Sequence, residues 1–225
     1  MTNVCLGDIC DLLSGIKCYH KTSTDFFTGH NPPYHRHDGY EIFLFIKGNT
    51  MMYVEHNCYK LSPGDLIIIS PDKLHRSIVT DNAPYERIGI NITEHILYAL
   101  SSEQTNLAGC FKSMSHDNGG IVRLSSYNLK EYVKIADRFL HMCESAEYGS
   151  ELMSLSIFTE LILYTDRIFR SSKAGKHDNI MPHIVIDTMK YIDENLNGEL
   201  TLAKISNGVN YSENYISSTF KHHTG

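Results

Sequence analysis

The chain has 225 residues, 42% of them hydrophobic, and a formal net charge of −6; this suits one large domain or two smaller ones, with ordinary apolar content for a core. The negative charge excludes a general polyanion binder, though not a site-specific DNA reader with one modest basic face. No stretch of about eighteen apolar residues is present to span a membrane, and the start MTNVCLGDICDLLSG lacks the basic, apolar and cleavage segments of a signal peptide. Cys5, Cys10, Cys18, Cys58, Cys110 and Cys143 are scattered with no C-x-x-C pair, the pattern of a reduced, cytoplasmic protein.

Residues 1–33 offer a short strand at Ile16–His20 and an extended entry forced by Asn31-Pro32-Pro33. The next stretch, YHRHDGYEIFLFIKG, sets His35, His37 and Glu41 as H-x-H-x3-E, with Gly48 after six intervening residues. Side chains in a strand alternate with period two, so His35 and His37 share a face. A turn at Asp38-Gly39 lets Glu41 rejoin that face, and His75, after Pro71, closes on it from a neighbouring strand. Strands follow at Glu41–Lys47, Thr50–Glu55, Cys58–Leu61, Leu66–Ile69, Arg76–Thr80 and Tyr85–Ile92, separated by turn chemistry. Leu66–Ile69 is continuously apolar and should be buried on both faces, whereas Ile88, Ile90 and Ile92 alternate with Gly89 and Asn91, one face in and one out. Short, evenly spaced strands indicate a sandwich or barrel. Three imidazoles and a carboxylate converging inside it would be a metal site, a polar ligand pocket or partnered residues closing a turn. This region resembles the two motifs of the cupin barrel. The first matches in full spacing; the second begins at Pro63-Gly64-Asp65 but carries Asp72 where a glycine usually precedes the histidine.

After Thr93, a candidate N-cap for a helix over Glu94–Ser101, the period becomes helical. Residues 102–120 read as irregular, and Ile121–Leu124 as a returning strand. Leu129, Tyr132, Val133, Ala136, Phe139, Leu140 and Cys143 form one apolar stripe; Leu152, Leu155, Ile157, Phe158, Leu161, Ile162 and Ile168 form another. Tyr148-Gly149-Ser150 turns between them, predicting an antiparallel helix pair over 129–170 that also serves as a homodimer surface. Ser171–Asn179 is polar, lacks periodicity and reads as a linker. Beyond it, Met181–Leu196 is a helix with Ile184, Val185, Met189, Ile192 and Leu196 on one side, Pro182 in its first turn and Asn197-Gly198 at its end. Thr201 caps Leu202–Val209, Asn210 makes a left-handed turn, and Ser212 caps a helix through Phe220. With Leu202, Ile205, Val209, Tyr211, Ile216 and Phe220 as a common seam, this is a helix-turn-helix. His20, His30, His56 and His95 have no company of this kind and read as surface residues; His222 and His223 lie near the end, in reach of phosphate only.

The last 26 residues, LTLAKISNGVNYSENYISSTFKHHTG, resemble the first helix-turn-helix unit of the AraC family of transcriptional regulators in the spacing of Ser212, Tyr215, Ile216, Phe220, Lys221 and Gly225. Ser206 replaces the usual alanine and Asn210 the usual turn glycine. Many members carry a cupin-like barrel ahead of this unit, so the resemblance covers the chain in order. It implies an α+β protein: a cupin-like effector-sensing and dimerisation domain over 1–170, a linker over 171–180, and a first helix-turn-helix over 181–225. Family members continue with a linker helix and a second helix-turn-helix, so a truncated regulator or a fragment is expected. The family's DNA-contacting positions fall on Ser212, Asn214, Ser217, Ser218 and Lys221, with Asn214, Ser217 and Ser218 facing bases. Asparagine suits adenine, but arginine is absent from this helix. From Met181 onward Lys190, Lys204 and Lys221 stand against Asp187, Asp193, Glu194, Glu199 and Glu213, so DNA affinity should be weak. The effector, a small polar molecule such as a sugar, would sit at His35, His37, Glu41 and His75. No catalytic residue, cofactor or metal ligand is assigned, and the alternative is a metal-dependent cupin oxygenase or isomerase.

Overall fold

A computed structural model describes residues 12–24, 32–114, 120–171 and 178–224. His30, Asn31, Gly225 and most of the expected linker (172–177) lie outside the described residues. The described residues include eight strands: β1 (Ile16–Ser23), β2 (Tyr40–Lys47), β3 (Thr50–Val54), β4 (Asn57–Lys60), β5 (Asp65–Ile69), β6 (His75–Val79), β7 (Tyr85–Ile92) and, after two helices, β8 (Gly120–Arg123). They make a five-stranded sheet in the order β1-β7-β2-β5-β8 and a three-stranded sheet β4-β3-β6, with antiparallel pairing in both.

Alternation along the strands of the larger sheet builds two cores. Ile42, Leu44, Leu66, Ile68, Ile88, Ile90 and Ile92 turn to the helices. Phe43, Phe45, Ile67, Ile69, Tyr85 and Ile121 turn the other way, meeting Met52, Val54, Tyr59, Leu61 and Val79 inside the barrel. This is why Leu66–Ile69 has no polar position: every residue of β5 is buried.

The helical layer comprises α1 (Glu94–Ala99), α2 (Leu107–Met114), α3 (Ser126–Cys143) and α4 (Ser150–Ser171). α2 falls where an irregular passage was expected; its apolar contacts, Leu107, Ala108 and Phe111, fill barely one turn, too few for a periodic signal. α3 and α4 pack antiparallel, as predicted, with Tyr132 against Thr165 (3.1 Å) and Phe139 against Phe158 (5.1 Å between centroids). Ile135 joins the buried stripe, and Cys143 is exposed instead of closing it.

α5 (His183–Glu194), α6 (Leu202–Val209) and α7 (Glu213–Thr224) form the C-terminal unit. α5 is shorter than predicted because Pro182 is its N-cap rather than part of its first turn, and Leu196 lies exposed beyond its end. The Thr201 side chain accepts from the Lys204 amide, and Asn210 adopts φ 59°, as the turn requires. α7 runs to Thr224, past the expected end at Phe220. Ile216 is buried with Met181, Ile184, Val185 and Ile186, and Ile205, Val209 and Phe220 pack against them. Leu202 and Tyr211 are exposed and do not join the seam.

The same cluster includes Cys58 and touches Met51 and Tyr53, so the C-terminal unit sits on the outer face of the three-stranded sheet. Hydrogen bonds fix it there. Asn179 Oδ1 accepts from the Cys58 amide (3.0 Å) and the Met181 amide (3.1 Å), and its Nδ2 donates to Asn57 (2.7 Å). The Ile180 amide donates to the Cys58 carbonyl (2.9 Å). Among the described residues no helix is long and apolar enough to cross a membrane.

Candidate functional site

At one end of the barrel the H-x-H-x3-E stretch meets β6. The His35 amide donates to the His75 carbonyl (3.0 Å) and the His75 amide to the His35 carbonyl (2.9 Å). The Asp72 amide donates to the His37 carbonyl (3.0 Å), and Asp72 takes φ 64°. The residue found in place of the usual glycine therefore adopts the left-handed conformation that a glycine would favour, one that a short polar side chain tolerates. Gly39 is needed for a different reason. A Cβ there would collide with the carbonyl of Ile92, so only glycine lets the chain turn close against the end of β7 and enter β2 at Glu41.

The four side chains converge: one ligand atom from each of His35, His37, Glu41 and His75 lies within 4.8 Å of the others. Glu41 is 6% exposed and His75 3%. Glu41 Oε2 faces His75 Nε2 at 2.7 Å and His37 Nε2 at 3.3 Å. His75 Nδ1 donates to the Lys73 carbonyl (2.8 Å), and His35 Nδ1 to the Pro33 carbonyl (3.0 Å). These carbonyls fix the ring orientations and leave both Nε2 atoms to the cluster.

The electrostatics follow. Burial alone would raise the Glu41 pKa, but hydrogen bonds from His37 and His75 outweigh it and pull the carboxyl down to about 2. Burial alone would lower that of His75, but the hydrogen bond to Glu41 raises it. His75 thus faces an acceptor at each ring nitrogen, the Lys73 carbonyl at Nδ1 and the Glu41 carboxylate at Nε2. The same set also fits a divalent metal ion: three imidazoles and a carboxylate, with second-layer carbonyls on two rings, are the donors that manganese, iron and zinc take.

Sequence reasoning missed the floor of this site. β7 carries Tyr85, Arg87, Gly89 and Asn91 on the face opposite its isoleucines, and Tyr85 belongs to the barrel interior. The face assigned outward is thus a second inward face. The Tyr19 ring lies on Gly89, where any Cβ would strike it, and Arg87 stacks over Tyr85 at 4.3 Å and donates to Ser23 Oγ (3.0 Å). Asn91 stands directly opposite Glu41 in the β2–β7 register. The signal was present as polar residues alternating with isoleucine, but one strand alone cannot show that both sides are covered.

Two histidines expected at the surface are engaged instead. His20 lies between Asp137 (2.7 Å) and Glu86 (3.0 Å), joining β1 and β7 to α3. His56 faces Asp193 of α5 at 3.1 Å. His95 is exposed as predicted.

Ser212, just ahead of α7, and Asn214, Ser217, Ser218 and Lys221 on it are all exposed, while Ile216 faces inward. Lys204, one of the few cations of this unit, is held by Glu199 at 2.9 Å. Two cavities lined by described residues lie away from the histidine cluster. The larger, about 650 Å³, is an open groove on α3 and α4 with a floor of Val133, Met142, Met153 and Ile157; the other, about 340 Å³, lies between β1 and the same helices. The larger also carries Lys130, Lys134, Asp137, Arg138 and His141 on its walls, but neither lining includes any residue of the buried histidine–glutamate cluster.

A family model described as the AraC-like ligand binding domain matches residues 23–162. Among solved structures the chain is similar to the AraC-like transcriptional activator CuxR, at 16% identity over 93% of this chain and 68% of that one, with a TM-score of 0.42. It is also similar to unsaturated fatty acid bound ToxT from Vibrio cholerae (11% identity, 92% of this chain and 91% of that one, TM-score 0.44). A cupin protein from Bacteroides fragilis is 20% identical over 35% of this chain and 66% of that one, with a TM-score of 0.31. No curated protein matches the chain.

Proposed function

Because this chain belongs to the AraC-like ligand binding domain family, we propose that it is a DNA-binding transcriptional regulator that senses a small polar effector, such as a sugar, at His35, His37, Glu41 and His75. One observation carries the reading: the three-stranded sheet contributes His75 to the candidate effector site on one face and carries the helix-turn-helix unit on the other. His75 and Val79 of β6 face inward, while Met51 and Tyr53 of β3 face the C-terminal unit. An effector that favours one arrangement of this sheet would bias the docking of α5–α7, which is linkage in the ordinary sense. The division into residues 1–170, 171–180 and 181–225 follows the same logic, with Asn179 as the point where the linker is tied to the barrel.

In this reading Asn214, Ser217 and Ser218 face base edges, with Ser212 and Lys221 beside the phosphates, and the acidic balance of the unit keeps affinity low. The groove on α3 and α4 is the homodimer surface. Calorimetric titration with a panel of neutral monosaccharides tests the effector site: His35→Ala and Glu41→Ala weaken binding without unfolding the barrel. Variants that bind normally but lose stability would make the cluster structural.

The donor set supports a second reading, in which the same four residues hold a divalent metal ion that anchors the effector or supports metal-dependent chemistry of the oxygenase or isomerase kind. Metal analysis of protein purified without chelator separates the two, near-stoichiometric iron, manganese or zinc favouring the second.

A further inference from the structure

Asn91 Oδ1 is fully buried and has no hydrogen-bond partner among the described residues. It lies on β7 directly opposite Glu41 of β2, and directly opposed residues of an antiparallel pair put their side chains on the same face. Glu41 receives both His37 and His75 on Oε2, leaving Oε1 as the part of the carboxylate turned away from the imidazoles. Two acceptor-bearing side chains thus share one face at the floor of the cluster, on adjacent strands. Buried polar atoms are ordinarily satisfied, so an unpaired amide oxygen here points to a group that arrives from outside the chain.

From this we infer that Asn91 is a specificity-determining residue of the barrel site, and that with Glu41 it reads O–H donors. The inference rests on the ligand-site reading above and narrows it. A neutral hydroxyl-rich molecule satisfies both acceptors. A carboxylate or phosphate placed there would bring oxygens without a proton to share with either acceptor. The same O–H chemistry has two sources, a hydroxyl of an organic effector or a water held by a divalent ion on His35, His37, Glu41 and His75.

The test uses the full chain after chelator treatment, as wild type, Asn91→Leu and His75→Leu. Leucine keeps the branched shape and side-chain heavy-atom count of asparagine and removes the unpaired amide, so the melting temperature of Asn91→Leu rises, by about 2–4 °C. An unchanged or lower melting temperature overturns the inference, because the amide would then already be satisfied within the protein. Each protein is then titrated with Mn²⁺ alone. At least about tenfold weaker binding by Asn91→Leu, the usual effect of losing an outer-layer partner, identifies the donor as metal-held water. No Mn²⁺ binding by the wild type, together with the higher melting temperature, leaves the organic hydroxyl as the source. Equal Mn²⁺ affinity in wild type and Asn91→Leu, together with the higher melting temperature, excludes metal-held water and likewise leaves the organic hydroxyl as the source. If His75→Leu also binds Mn²⁺ like the wild type, the fault lies with the site reading itself rather than with Asn91.

Discussion

Replacing Asn179 with alanine should loosen the C-terminal unit from the barrel without damaging either part. The side chain makes three hydrogen bonds, to the Cys58 and Met181 amides and to Asn57. Two of these bonds cross to the barrel, and at about 0.5–1.5 kcal/mol net for each the ceiling is about 3 kcal/mol. Asn179 is exposed, so water replaces part of what is lost and about 1–2 kcal/mol is expected, a factor of about 5–30 in the docking equilibrium. The apolar contacts of Met51, Tyr53 and Cys58 remain, so the unit stays docked most of the time. Native-state hydrogen exchange reads this directly. The amides of Cys58 and Ile180 should exchange about 5–30 times faster in Asn179→Ala, with β2, β5 and β7 unchanged. Unchanged exchange at Ile180 would refute the latch. Uniform acceleration across the barrel would show that Asn179 supports global stability instead.

Two further outcomes follow from other contacts. His20, between Asp137 and Glu86, is lowered by burial but raised overall by its hydrogen bonds to those carboxylates. Its pairing therefore stabilises the fold fully below the unfolded value of about 6.5 and is lost as pH rises through the higher folded value. The melting-temperature gap between wild type and His20→Gln should shrink from pH 6 to pH 9; a gap that widens would contradict the assignment. Met153 is 50% exposed on the groove floor, and Met153→Glu should give a folded monomer in sedimentation, whereas an unchanged dimer would exclude this face.

The histidine cluster was legible because its geometry is local. Period-two alternation and one tight turn place His35, His37 and Glu41 together whatever surrounds them, and His75 follows once β6 is recognised. The helix-turn-helix was legible for similar reasons, since Thr201 and Asn210 act within a few residues of themselves. What stayed hidden depends on distant partners. The polar face of β7 looked solvent-facing until the opposite sheet covered it. His20 and His56 are ordinary in sequence, and only folding brings Asp137 and Asp193 to them. Asn179 read as one more polar linker residue, because nothing local marks it as the tie to β4. α2 was missed because two or three buried residues fill too little of a helix to show a period.

The central claim is that α7 reads DNA in a protein whose barrel senses a ligand, and duplex selection tests the first half most directly. The full chain, wild type and Asn214→Ala, is used to enrich binding sites from a randomised pool of duplexes at one low salt concentration. Enrichment should be weak for the wild type, as the acidic balance of the unit requires, with one adenine position that relaxes in Asn214→Ala, consistent with a contact giving about 1–3 kcal/mol of discrimination. Failure to enrich any motif, or an identical motif from both proteins, would contradict the account.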